Sequence, residues 1–114
     1  NVSSVAASTP AAGAGIYGAT KAALELLTKT WADEFGASGV RVNAAAPGPT
    51  QTEGTADLGA ELIEGLGRTT ALGRLAEVDE IANAVTFLAS PAASYVNGAV
   101  LTIGGGAQAL RPVA

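Results

Sequence analysis

The chain has 114 residues, enough for one small domain, and with 48% apolar and 14% charged residues it can bury a core. A formal net charge of −4 argues against a nucleic-acid track, and no apolar run reaches membrane-spanning length. Histidine and cysteine are absent, which excludes imidazole bases, thiol nucleophiles and the common zinc sites; acid–base chemistry falls to Tyr, Lys, Asp, Glu or Ser, and no metal site is expected.

In chain order, Asn1 to Val5 reads as the end of a strand, followed by a small-residue loop from Ala6 to Gly15 that contains Pro10. Ile16 to Phe35 has a helical pattern. Ala19, Ala23, Leu26 and Thr30 form the stripe expected to face a sheet, and Leu24, Leu27, Trp31 and Phe35 form a second stripe, more than one sheet face needs. Gly36 and Gly39 supply the stop. Val40 to Ala46 reads as a buried strand ended by Pro47-Gly48-Pro49. Thr50 to Leu75, glycine-rich and weakly amphipathic around Leu58, Leu62, Ile63 and Leu66, reads as a mobile lid with one short helix. Glu77 to Ala89 is a helix with acids in its first turn, Asn97-Gly98 is a turn, and Ala99 to Ile103 is the last strand.

The order strand, helix, strand, helix, strand predicts a βαβαβ unit of the α/β class, with a three-stranded parallel sheet whose outer edge lies at Asn1–Val5. An uncovered edge and the second helical stripe together predict that the isolated chain self-associates or folds poorly. A strand at residue 1 and the absence of methionine predict that about 100 or more residues precede Asn1 in the native gene, a length in keeping with ordinary domain size.

Tyr17 and Lys21 are four residues apart, a spacing that puts both on one helix face. A cation held beside a phenol favours the phenolate, and such a pair can exchange a proton with a carbonyl or alcohol oxygen. Alone, the spacing also describes an ordinary surface pair. Ser4, at a strand end, reads either as a turn cap or as a hydroxyl aimed into the same cleft, where it would hydrogen-bond a substrate oxygen.

Asn1-Val2-Ser3-Ser4 followed by Tyr17-Gly18-Ala19-Thr20-Lys21 resembles the short-chain dehydrogenase/reductase family. Arg41-Val42-Asn43 leading to Pro47-Gly48-Pro49-Thr50-Gln51-Thr52 is similar to that family's segment beside the nicotinamide, and Gly73-Arg74-Leu75 and Ser94-Tyr95-Val96-Asn97-Gly98 look like its C-terminal part. The motifs run in order from residue 1 to about 106. The resemblance implies the C-terminal part of a Rossmann-type doubly wound fold: residues 1–114 would be the catalytic and substrate half of an oxidoreductase domain, with the N-terminal cofactor-binding half absent.

The same resemblance implies hydride transfer between NAD or NADP and a small-molecule carbonyl or alcohol. Tyr17 would be the general acid/base, Lys21 would favour its phenolate and hold the nicotinamide ribose, and Ser4 would orient the substrate oxygen. Pro47 and Gly48 would line the nicotinamide, Thr50 would meet its carboxamide, and Thr52 would sit near the carboxamide or pyrophosphate. The complete enzyme would be cytoplasmic and a homo-oligomer, while the isolated chain would be inactive. The alternative is an inactive fragment or assembly module that keeps only the family's packing surface.

Two substitutions depart from the family pattern: Ala7 stands in place of Gly, and Gly104 in place of the Asp before Gly-Gly. Gly13-Ala14-Gly15-Ile16-Tyr17-Gly18 matches Gly-x-Gly-x-x-Gly, but no strand leads directly into it and Asp33 lies within a helix, so it does not read as a pyrophosphate loop.

Overall fold

Three consecutive alanines, Ala44–Ala46, are 0–2% exposed and form most of strand β1 (Ala44–Pro47). The computed structural model that shows this describes residues 1–106. Strand β4 (Val100–Ile103) runs parallel to β1, pairing Ala44 with Val100 and Pro47 with Ile103. On the other side of β1 lies Asn1–Ser3. It is joined by the parallel bridge Val2–Ala45, with Ser3 N donating to Ala45 O at 2.8 Å and Ala45 N to Asn1 O at 2.9 Å. The chain is thus α/β with parallel strands, as its element order predicts.

The first expected strand, Asn1 to Val5, is shorter than its pattern suggests. Ser4 Oγ accepts from Ala6 N at 3.1 Å and caps a 3-10 turn over Val5–Ala7, which takes the backbone away from the sheet. The second, Val40 to Ala46, begins only at Ala44 because asparagine side chains take up its first hydrogen bonds. Asn97 Oδ1 accepts from Val42 N and Asn43 Oδ1 from Ala99 N, both at 2.9 Å, while Asn43 Nδ2 donates to Val96 O at 2.9 Å. These side chains satisfy polar backbone groups that would otherwise need a ladder partner.

Helix α1 (Gly15–Gly36) has no proline and is rich in Ala and Leu, the better helix formers. It ends in a Schellman motif: Val40 N donates to Phe35 O and Gly39 N to Gly36 O, with Gly39 at φ +83°. Its inward face differs from the expected one. Thr28 and Ala32 are buried and Leu24, Glu25 and Trp31 half-buried, whereas Ala19, Ala23, Leu26 and Thr30 face out. The buried residues are those with polar or small partners inside. Thr28 Oγ1 accepts from Asn1 Nδ2 at 3.0 Å, and Ala32 O accepts from Asn97 Nδ2 at 3.2 Å. Hydrophobic periodicity alone does not register such partners.

The expected lid holds two helices rather than one. Strand β2 (Thr50–Gln51) leads into α2 (Glu53–Ala56) and α3 (Ala60–Arg68), and strand β3 (Ala76–Glu77) closes the segment by pairing in parallel with β2. Helix α4 (Val78–Ala89) follows. Its start is set by a capping box between Glu77 and Glu80 and by acids at Asp79 and Glu80, which suit the positive end of the helix. No helix among the described residues is long and apolar enough to cross a membrane.

Arg74 grips the start of α4 in a fork, with Nη1 2.7 Å from Glu80 Oε1 and Nη2 3.0 Å from Oε2. This bond, aided by the Glu77 backbone N–H, holds the Glu80 carboxyl at about 2, below the ordinary carboxylate range. A carboxylate whose pKa is lower folded than unfolded stabilises the fold above its unfolded pKa, and that stabilisation fades as pH falls through the folded value. Urea unfolding between pH 5 and about 2 is therefore expected to show stability falling with pH, and less steeply in Glu80→Gln. Parallel curves for the two proteins would deny the pair this role.

Candidate active site

Helix α1, the Ser4 turn and the loop after β1 meet around a cleft of about 530 Å³. Ser4, Tyr17, Lys21, Pro47, Gly48, Thr50 and Thr52 all line it, so the structure brings together every site residue expected from sequence. One wall was not foreseen: Val78, Ile81 and Ala82 of α4 close the cleft with apolar surface. Their spacing marks a helix face, but periodicity does not say what that face borders.

Lys21 lies one turn beyond Tyr17 on α1, with Nζ 5.6 Å from the Tyr17 ring centroid. One of its three N–H donors goes to Val2 O at 3.2 Å. Tyr17 is 47% exposed, so its phenol is reachable from the cleft. Gly18 lets α1 sit this close to the Ser4 turn, since a Cβ there would come within 2.7 Å of Ala6 O.

Ser4 fits both of its readings. As the cap of the 3-10 turn its Oγ accepts from Ala6 N, which leaves the hydroxyl hydrogen to be donated into the cleft. Thr50 has the opposite polarity. Its Oγ1 donates to Gly48 O at 2.9 Å, so what it offers a ligand is lone pairs. Thr52 caps α2, accepting from Thr55 N at 3.2 Å.

Gly48 sits against the end of β4. Its N–H donates to Ile103 O at 2.9 Å, and a Cβ on it would lie 2.8 Å from Gly104 Cα. Only a glycine fits there, which explains the Pro-Gly-Pro turn locally. The glycine run at Gly13–Gly18 follows a loop and the 3-10 turn, and Gly15 is already the first residue of α1. It does not follow a strand, as a pyrophosphate loop would.

The family described as enoyl-(acyl carrier protein) reductase matches residues 1–108. The chain is 43% identical to the cis-4-hydroxycyclohexanecarboxylate dehydrogenase of Sinomonas cyclohexanicum, over 96% of this chain and 44% of that one. It is 50% identical to the galactitol 2-dehydrogenase (L-tagatose-forming) of Cereibacter sphaeroides, over 82% and 37%. Among solved structures, an angucycline C-6 ketoreductase with bound NADP superposes with a TM-score of 0.89 at 32% identity, covering 95% of this chain and 42% of that one. The chain spans less than half the length of these relatives.

Proposed function

The chain belongs to the short-chain dehydrogenase/reductase family, and from that premise we propose that it is the catalytic half of an NAD(P)-dependent oxidoreductase acting on a small carbonyl or alcohol. The observation that carries this reading is the convergence of Ser4, Tyr17 and Lys21 on one cleft with Pro47, Gly48, Thr50 and Thr52.

The donor set suits the nicotinamide end of a dinucleotide. Pro47 offers an apolar surface, Thr50 offers lone pairs to a carboxamide N–H₂, and Lys21 has N–H donors beyond the one bonded to Val2 O for ribose hydroxyls. Thr52, also on the cleft, would meet the carboxamide or pyrophosphate. When bound, the dinucleotide supplies or accepts the hydride. Tyr17 Oη holds and moves the proton: it donates to the oxygen of a carbonyl being reduced and accepts from an alcohol being oxidised. The Lys21 ammonium places a positive charge beside Tyr17, with Nζ 5.6 Å from its ring centroid. Ser4 Oγ donates to the same substrate oxygen and fixes its position. Val78, Ile81 and Ala82 give the cleft an apolar side against which the carbon skeleton of a substrate can lie.

A second reading, an assembly module without activity, is favoured by the outer face of α1, where Ile16 is 83%, Leu26 67% and Leu27 42% exposed. The same face fits a homo-oligomeric enzyme. Fluorescence titration of the complete protein with NADH and NADPH separates the two. Saturable binding of at least one nucleotide is expected, and no binding of either would leave only the module.

A further inference from the structure

Each of the three residues leading to Ser4 is tied to α1 through a side chain. Asn1 Nδ2 donates to Thr28 Oγ1 at 3.0 Å, Lys21 Nζ donates to Val2 O at 3.2 Å, and Ser3 Oγ donates to Glu25 Oε2 at 2.6 Å. The last is the shortest of the three and is charge-assisted. Ser3 is 3% exposed, and its other acceptor, Ala45 O, is 3.5 Å away, at the limit of a hydrogen bond. Glu25 therefore carries the hydrogen bonding of a buried hydroxyl.

Glu25 continues the face of α1 that bears Tyr17 and Lys21, one turn beyond Lys21 and two beyond Tyr17. It does not line the cleft. The segment it grips is joined to the sheet by the bridge at Val2–Ala45, and the chain turns away right after Ser4. Ser3 N also bonds Ala45 O in the sheet, and the side-chain ties add a direct link between this segment and the helix that bears Tyr17 and Lys21.

We propose that Glu25 is a positioning residue, which through Ser3 holds Ser4 at a fixed offset from Tyr17 and Lys21. This rests on the reading of Ser4 and Tyr17 as the proton-handling pair. Catalysis is sensitive to such offsets, because a displacement of about 1 Å costs up to roughly 10²-fold in rate.

In the complete enzyme, Glu25→Ala and Ser3→Ala are each expected to lower kcat by about tenfold or more, with KM for the nucleotide changing by less than about twofold. Glu25→Gln keeps an acceptor oxygen and is expected to retain most of the activity. The double variant is expected to be no worse than the worse single one, since both remove the same contact. Amide hydrogen exchange of the peptide spanning residues 1–8 gives a readout that needs no turnover. Glu25→Ala speeds it and Glu25→Gln leaves it near wild type. Unchanged kcat in Glu25→Ala, equal losses in Glu25→Gln and Glu25→Ala, or additive losses in the double variant would overturn the proposal. Full turnover in Tyr17→Phe sinks the catalytic reading, whereas unchanged exchange in Glu25→Ala sinks the tie itself, so the two failures are told apart.

Discussion

Replacing Tyr17 by phenylalanine is expected to lower kcat of the complete enzyme by about 10²–10⁴-fold, the range that a positioned acid–base group contributes. The change removes one oxygen and keeps the ring. The packing of α1 against the Ser4 turn and the apolar side of the cleft are both preserved, so nucleotide affinity should move by less than about twofold. Steady-state kinetics read the first quantity and fluorescence titration the second. A variant that kept most of its turnover would mean that another group moves the proton. The described residues lining the cleft offer few substitutes: Lys21 and the hydroxyls of Ser3, Ser4, Thr50 and Thr52.

Lys21→Ala is expected to damage both quantities, with kcat/KM falling by about 10²-fold or more and nucleotide affinity by about tenfold, as fits loss of charged hydrogen bonds. The ammonium stands between two elements. It lies 5.6 Å from the Tyr17 ring and bonds the carbonyl of Val2 at 3.2 Å. Its removal takes away a positive charge beside Tyr17, the proposed donor for the nucleotide and one tie to the Asn1–Ser3 segment. Loss of turnover with wild-type nucleotide affinity would restrict Lys21 to the first of these roles.

The polar landmarks of the site were legible in the sequence because they sit in short runs: Ser4 at a strand end, Tyr17 and Lys21 one helical turn apart, and Pro47 to Thr52 in one turn. The main elements were legible as well, since Ala44–Pro47 and Val78–Ala89 carry clear patterns, but the two-residue strands and the second helix of residues 50–77 were not. The orientation of α1 was not. Apolar periodicity favoured Ala19, Ala23, Leu26 and Thr30, but the buried face is set by the polar contacts of Thr28, Glu25 and Ala32 O with residues far along the chain. Strand ends were missed for a related reason. Asn43 and Asn97 make side-chain bonds that replace ladder bonds, with partners 53–56 residues away, while Ser4 caps a local turn at Ala6 that ends the first strand early.

The parallel clip between Thr50–Gln51 and Ala76–Glu77, reinforced by Ala76 N donating to Pro49 O at 2.9 Å, bears on how this architecture diversifies. It pins together the two ends of the segment that carries α2 and α3, so residues 52–75 form a closed excursion leaving from the rim of the cleft. Closing an excursion of twice the length costs only about 0.6 kcal/mol more. Insertions and deletions beyond the clip are therefore cheap, and they leave Pro47, Gly48 and Thr50 where they are. Among the described residues the excursion reaches the cleft only through Thr52, so its length can vary while Ser4, Tyr17, Lys21, Pro47, Gly48 and Thr50 keep their places.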